Sequence, residues 1–99
     1  MSTSDDRLLW HEGVPVEERA FNRAFGRVLA QLRGSDDFNP TRTAQHSGVD
    51  RAFLYALEKG EKGVSLFTLF RIASASKQSA SAIVHLLERE LSRETEGRK

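Results

Sequence analysis

The stretch Thr43-Ala44-Gln45-His46-Ser47-Gly48-Val49-Asp50-Arg51-Ala52-Phe53-Leu54-Tyr55-Ala56-Leu57-Glu58-Lys59-Gly60 decides the fold. It reads as two short helices, a tight turn between them and a glycine stop. Ala44 is small, so a second helix can approach closely. Gly48 suits the left-handed backbone that the turn needs. Val49, Leu54 and Leu57 point inward, and Gly60 can end the second helix. Small and apolar residues therefore fall where two steeply crossing helices would touch, which is the pattern of a helix-turn-helix.

Working outward, a first helix is predicted from about Glu17 to Arg33. Phe21, Phe25, Val28, Leu29 and Leu32 repeat at the spacing of one helical face, and Gly34 stops it. Ser35-Asp36-Asp37 is a polar connection, and Phe38 plugs back into the core. Asn39 caps the second helix, with Pro40 in its first turn, where a missing N–H costs nothing. Asp50 caps the third helix. Glu61-Lys62-Gly63 reads as a loop. Ser65 caps a fourth helix whose buried side is expected to hold Leu66, Leu69, Phe70 and Ala73, with Ile72 alongside. Ser76-Lys77-Gln78 breaks the pattern. A fifth helix then starts at Ser79 or Ser81, with Ile83, Val84, Leu86, Leu87 and Leu91 as its apolar positions. No strand pattern and no internal repeat is read. Residues 1–17, interrupted by Gly13 and Pro15, are expected to form a mobile acidic arm, 18–91 the domain and 92–99 a charged, frayed tail.

Ninety-nine residues with 38% hydrophobic content suffice for one small domain with a modest core. No apolar run is long enough to span a membrane, and the polar, acidic start from Met1 to Asp6 is not a secretory signal. The absence of cysteine removes disulfides and thiolate metal sites. A soluble cytoplasmic protein is the expectation. Net charge is only +1, but it is unevenly distributed. Residues 1–18 carry five carboxylates against Arg7, while the rest carries 14 Lys and Arg against 9 Asp and Glu. A basic body permits phosphate contact without requiring it; a solvated charged surface explains it equally.

From about Phe25 to Leu87 the chain resembles the Xre/Cro-type helix-turn-helix family of phage and bacterial repressors. The resemblance rests on Ala44, Gly48-Val49, Arg51, Leu54 and Leu57-Glu58-Lys59-Gly60. Downstream, Ser65-Leu66, Leu69 and Ile72-Ala73 match the family's fourth helix. It implies an all-α fold, a compact five-helix bundle of the lambda-repressor-like type, and double-stranded DNA as partner. It also implies that Arg33 and Glu58 form a structural ion pair, since buried opposite charges must be matched. The chain departs from the family's pattern at four places. Pro40 replaces a glutamine that holds DNA, Asp50 a serine or threonine cap, Thr43 a leucine, and Ser76-Lys77-Gln78 a leucine-glycine-valine turn.

With Leu54 and Leu57 facing the core, the exposed face of the third helix holds Arg51, Ala52, Tyr55 and Ala56, and Phe53 lies on the flank. Mapped onto the family, these four occupy base-facing or near-base positions. The planar fork of Arg51 matches O6 and N7 of guanine. A phosphate clamp or a merely solvated arginine is the competing reading. Tyr55 suits a phosphate or sugar, and Ala52 or Ala56 a thymine methyl. Backbone contacts are expected from Asn39, Thr41, Arg42, Lys59 and Lys62.

The fifth helix has more apolar positions than one stripe needs. Val84, Leu86 and Leu91 are therefore expected at a homodimer interface, although a five-helix bundle could bury them all. Leu8-Leu9-Trp10 either folds back on the domain or grips a protein partner. Enzymatic function is not expected. His11, His46 and His85 lie in different elements without metal-ligand spacing, and no glycine-rich phosphate loop or nucleophile elbow is present. No cofactor is implied. The expected function is a sequence-specific transcriptional regulator, a repressor binding an inverted-repeat operator as a homodimer. The alternative is a protein-interaction module, antitoxin-like or a phage adaptor, that kept the fold with weak DNA binding.

Overall fold

The computed structural model describes residues 7–97. Its elements in chain order are β1 (Leu8–His11), β2 (Val14–Glu17), α1 (Glu18–Gly34), α2 (Pro40–Ser47), α3 (Arg51–Glu58), α4 (Leu66–Ser74) and α5 (Ala80–Glu96). Five helices thus form the bundle, and a two-stranded hairpin is added at its start. The core is one cluster. Phe25, Val28, Leu29 and Leu32 of α1 meet Leu54 and Leu57 of α3, Leu69 and Ile72 of α4, and Ile83 and Leu87 of α5. Phe38, in the link between α1 and α2, is 1% exposed and fills the centre. Side-chain caps start four of the helices: Asn39, Asp50, Ser65 and Ser79 each accept from a backbone N–H of the first turn.

The arm expected over residues 1–17 is, over its described part, a packed hairpin. Met1 to Asp6 lie outside the described residues, as do Arg98 and Lys99 of the tail. Leu9 pairs with Val16 and His11 with Val14, with Glu12 and Gly13 at φ 52 and 81 making the turn. Two consecutive positive φ values match the twist of the flanking strands. Strand alternation turns Val14 and Val16 inward and leaves Pro15 and Glu17 exposed. The His11 ring Nε2 lies 3.0 Å from Ser92 Oγ, tying β1 to α5. Of the apolar triplet, Leu9 packs against the core, Leu8 is half-buried and Trp10 stays exposed.

The tail expected from Ser92 is also partly structured. α5 continues to Glu96, and Thr95 is fully buried with its hydroxyl donating to the Leu91 carbonyl at 3.0 Å. Leu91 is therefore core, not a dimer surface, and Leu86 packs against the same cluster; only Val84 of the three is exposed. The reason is periodicity: Ile83, Leu87 and Leu91 fall on one stripe once the helix continues past Ser92. In α4 the error runs the other way. Leu66 and Phe70, expected inside, are 71% and 57% exposed. α4 is apolar nearly all round, and only the face of Leu69, Ile72 and Ala73 meets the bundle.

The unusual Ser76-Lys77-Gln78 turn is held by polar bonds. Lys77 N–H donates to the Asp37 carbonyl at 3.0 Å, and Gln78 Nε2 donates to the Asp37 carboxylate at 2.9 Å. The α4–α5 connection is thereby fastened to the α1–α2 connection.

Two contacts fix the helices against each other. α1 crosses α3 at Gly26, where a Cβ would collide with the Glu58 carbonyl oxygen and lie 2.8 Å from that of Leu57. α1 and α5 are joined by Glu90, whose side chain is 5% exposed. It accepts from Arg27 Nε at 2.8 Å, Gln31 Nε2 at 2.9 Å and Arg93 Nη2 at 3.2 Å. The Arg27 hydrogen bond holds the Glu90 carboxyl below its ordinary pKa against the opposing effect of burial. The guanidinium of Arg27 also reaches Glu94 at 2.6 Å.

Gly26→Ala should lower stability by about 2–3 kcal/mol from overpacking, although alanine is the better helix former by up to ~1 kcal/mol. Chemical denaturation checks this, and a gain would remove the close crossing. A depressed folded pKa at Glu90 means stabilisation that is present above the ordinary carboxylate range and lost as pH falls through the lower folded value. Thermal melts from pH 7 to pH 2 should show that acid loss, and Glu90→Gln should flatten this part of the profile while lowering neutral-pH stability by about 1–3 kcal/mol.

Candidate nucleic-acid interface

The α2–α3 unit is assembled by local hydrogen bonds. Asn39 Oδ1 accepts from Arg42 N–H at 2.9 Å, and Gly48 ends α2 in the left-handed region at φ 75 with its N–H on the Ala44 carbonyl. Asp50 Oδ1 accepts from Ala52 N–H at 3.0 Å and starts α3 two residues later. Arg71 on α4 braces the turn from behind. Its guanidinium donates to the Ser47 carbonyl and lies 5.7 Å from the centre of the Phe67 ring. Sequence reasoning missed Arg71; its signal is that it is the one charged residue of α4.

Burial of Leu54 and Leu57 turns the opposite side of α3 outward. Arg51, Ala52 and Tyr55 are exposed there, with Arg51 and Tyr55 one turn apart on the same stripe. Ala56 is half-buried and lies at the margin of this face instead of on it, and Phe53 packs against the core. Thr41 and Arg42 are exposed in the first turn of α2, while Asn39 is half-buried and its side-chain oxygen is occupied as the cap. Lys59 and Lys62 are exposed just beyond α3. The structure thus brings Arg51, Tyr55, Thr41, Arg42, Lys59 and Lys62 to the solvent side of the α2–α3 unit and its ends. Asp50 and Glu61 are exposed among them and temper the positive charge.

The inner side of the unit is pinned. Arg33 Nη2 donates to Glu58 Oε1 at 2.5 Å, with the Glu58 side chain 11% exposed and that of Arg33 52%. The other Glu58 oxygen, Oε2, is buried without a hydrogen-bond partner, and so is Oγ1 of Thr43.

The three histidines lie in three different elements, β1, α2 and α5. His46 is exposed on α2, but His11 and His85 line one open groove of about 500 Å³ with Glu88 and Arg89. The added hairpin causes this by carrying His11 to α5. No group of three His, Cys, Asp or Glu among the described residues has a metal-holding arrangement. No described helix is long and apolar enough to cross a membrane.

No protein-family model matches the chain, and no curated protein does. Solved structures do. The clp gene regulator ClgR from Corynebacterium glutamicum superposes with a TM-score of 0.68 at 22% identity, over 79% of this chain and 83% of that one. The chain has the Xre/Cro-type helix-turn-helix fold. An HTH_3 family transcriptional regulator from Vibrio cholerae is 33% identical with a TM-score of 0.63 over 77% of this chain, which spans only 43% of that protein. The restriction-modification controller protein C.Esp1396I, solved as a tetramer with its natural 35-base-pair operator, gives 0.63 at 17% identity over 72% and 93% of the two chains.

Thr43 is fully buried on α2, and its hydroxyl has no hydrogen-bond partner. Thr43→Val keeps the shape and removes the unsatisfied group, so it should raise stability by about 1–2 kcal/mol in denaturant titrations. A loss would mean that the hydroxyl is satisfied in solution.

Proposed function

We propose that this protein is a sequence-specific DNA-binding regulator of transcription, a repressor that occupies an inverted-repeat operator as a homodimer. The observation that carries the reading is the division of labour on α3. Leu54 and Leu57 bury one side, while Arg51, Ala52 and Tyr55 are exposed on the other. A helix held this rigidly, with an arginine in its first turn, fits the major groove in the manner of a recognition helix. Its structural neighbours point the same way: they are named as gene or transcriptional regulators and a controller protein, one of them bound to its operator.

The roles divide by chemistry. Arg51 reads guanine through its planar fork, and Ala52 offers a methyl to thymine. Tyr55 reaches the sugar-phosphate edge. Thr41 and Arg42 at the start of α2, and Lys59 and Lys62 after α3, grip phosphates and set the register; Asn39 contributes its backbone end. Ala56, at the margin, makes at most a methyl contact. Occupancy of a promoter by such a dimer blocks polymerase without any catalytic step, consistent with a protein that is not an enzyme.

Arg51→Ala should weaken binding to a selected site by about 1–3 kcal/mol and relax preference at one base position per half-site, with the fold unchanged. Lys62→Ala should instead weaken all sequences alike and reduce the salt slope by about 1. Fluorescence anisotropy on a panel of single-base variants across a salt series separates the two. Uniform loss from Arg51→Ala would reassign that residue to the phosphates.

A further inference from the structure

The outward face of α4 is unlike every other exposed helix face among the described residues. Leu66, Phe67 and Phe70 stand 71%, 72% and 57% exposed, with Ser74 continuing the same side. None of the four is charged, in a chain that is 29% charged. The exposed sides of α1 and α5 carry Arg19, Arg23, Glu88 and Arg89, and that of α2 carries Arg42 and His46. Three of the six large exposed hydrophobic residues lie between positions 66 and 70 of α4.

We infer that this face is the two-fold interface with a second copy of the chain, formed by Leu66, Phe67 and Phe70, in place of the α5 surface suggested by sequence. The inference rests on the dimeric form of the proposed function. Self-association is the occupant that the charge pattern favours. In a two-fold contact each residue near the axis meets its own copy, so a charged face opposes like charge to like, whereas a neutral apolar face does not. An acidic or basic partner would find no counter-charge here, and phosphates would find no exposed cation. Arg71, the one charge on α4, is turned to the Ser47 carbonyl and the Phe67 ring.

The exposed area is of the order that a small interface needs. With aromatic side chains offering about 200 Å² each, the three residues expose roughly 400 Å² per copy. Two copies together hide roughly 800 Å² through these three residues, so flanking side chains have to supply about a third of the ~1,200 Å² at which specific interfaces begin. One tenth of a surface of 6260 Å² is of this order, the usual share for a small protein. The position also suits the function. α4 follows α3 after one short loop and braces the α2–α3 turn through Arg71, so a contact across α4 would set the spacing of two α3 helices directly.

The chain has no cysteine, which gives a clean test. Leu66→Cys, Phe67→Cys and Phe70→Cys are oxidised mildly at low concentration, with Trp10→Cys as an equally exposed apolar control on β1. At least one α4 variant should cross-link to a dimer and the control should not. In sedimentation equilibrium, Phe67→Glu and Phe70→Glu should weaken the wild-type dimer by about 30-fold or more with circular dichroism unchanged. A wild-type monomer at all concentrations, or a dimer that both glutamate variants leave intact, overturns the interface. DNA binding is read separately. Base-specific binding with an intact variant dimer sinks only the interface; a dimer broken by the variants in a protein that ignores DNA leaves the interface standing and sinks the regulator reading.

Discussion

At Gly26 the backbone of α1 runs directly against the last carbonyls of α3, and no side chain fits between them. Everything outward of that crossing depends on it. With the helices this close, Leu54 and Leu57 enter the core beside Val28 and Leu29, and Arg33 at the end of α1 is within reach of Glu58. The rotation of α3 about its own axis is thereby fixed, and with it the direction of Arg51, Ala52 and Tyr55. Arg71 adds a second restraint from α4 by holding the Ser47 carbonyl at the turn. The reading surface proposed for α3 needs side chains held by a rigid frame, and the frame here is made of a missing Cβ and two guanidinium contacts.

A second cluster has a separate duty. Glu90 gathers Arg27, Gln31 and Arg93 and fastens α5 along α1, far from the α2–α3 unit in sequence. Ion pairs of this kind are costly to bury and are strongest when every oxygen is matched, as both oxygens of Glu90 are. The hairpin lies over the same pair of helices, with His11 against Ser92. The bundle therefore has a charged seam on the α1–α5 side, and on the α1–α3 side a close backbone crossing closed by a single ion pair.

Much of this was legible in the sequence, for physical reasons that differ by element. The helices announce themselves because Phe25, Val28, Leu29 and Leu32 keep a strict period, because Asp50, Ser65 and Ser79 are good caps placed ahead of apolar positions, and because Asn39 is a good cap followed by a proline at the first helical position. The hairpin was hidden by Pro15, which usually argues against a strand, and by Glu12-Gly13, a weaker turn signal than Asn-Gly. Yet Val14-Pro15-Val16-Glu17 alternates in the way a half-buried strand does. The face of α4 could not be chosen from its composition, because apolar residues at 66, 67, 69, 70, 72 and 73 fit several rotations; the packing partners decide. The extent of α5 was missed because Ser92 to Glu96 is polar, while Thr95 is buried by bonding its own helix. At the α3 face, Arg51, Ala52 and Tyr55 follow from the burial of Leu54 and Leu57, whereas the half-burial of Ala56 depends on neighbours that sequence does not reveal.

Selection of binding sites from a pool of random duplex DNA, followed by titration of the winners against salt, tests the central claim most directly. If α3 presents a base-reading face on a dimer, the enriched sites will be two-fold symmetric, with half-sites about one helical turn apart, roughly 34 Å, and affinity will fall steeply as salt rises. A pool that stays unenriched, with only weak binding that salt abolishes, would contradict it.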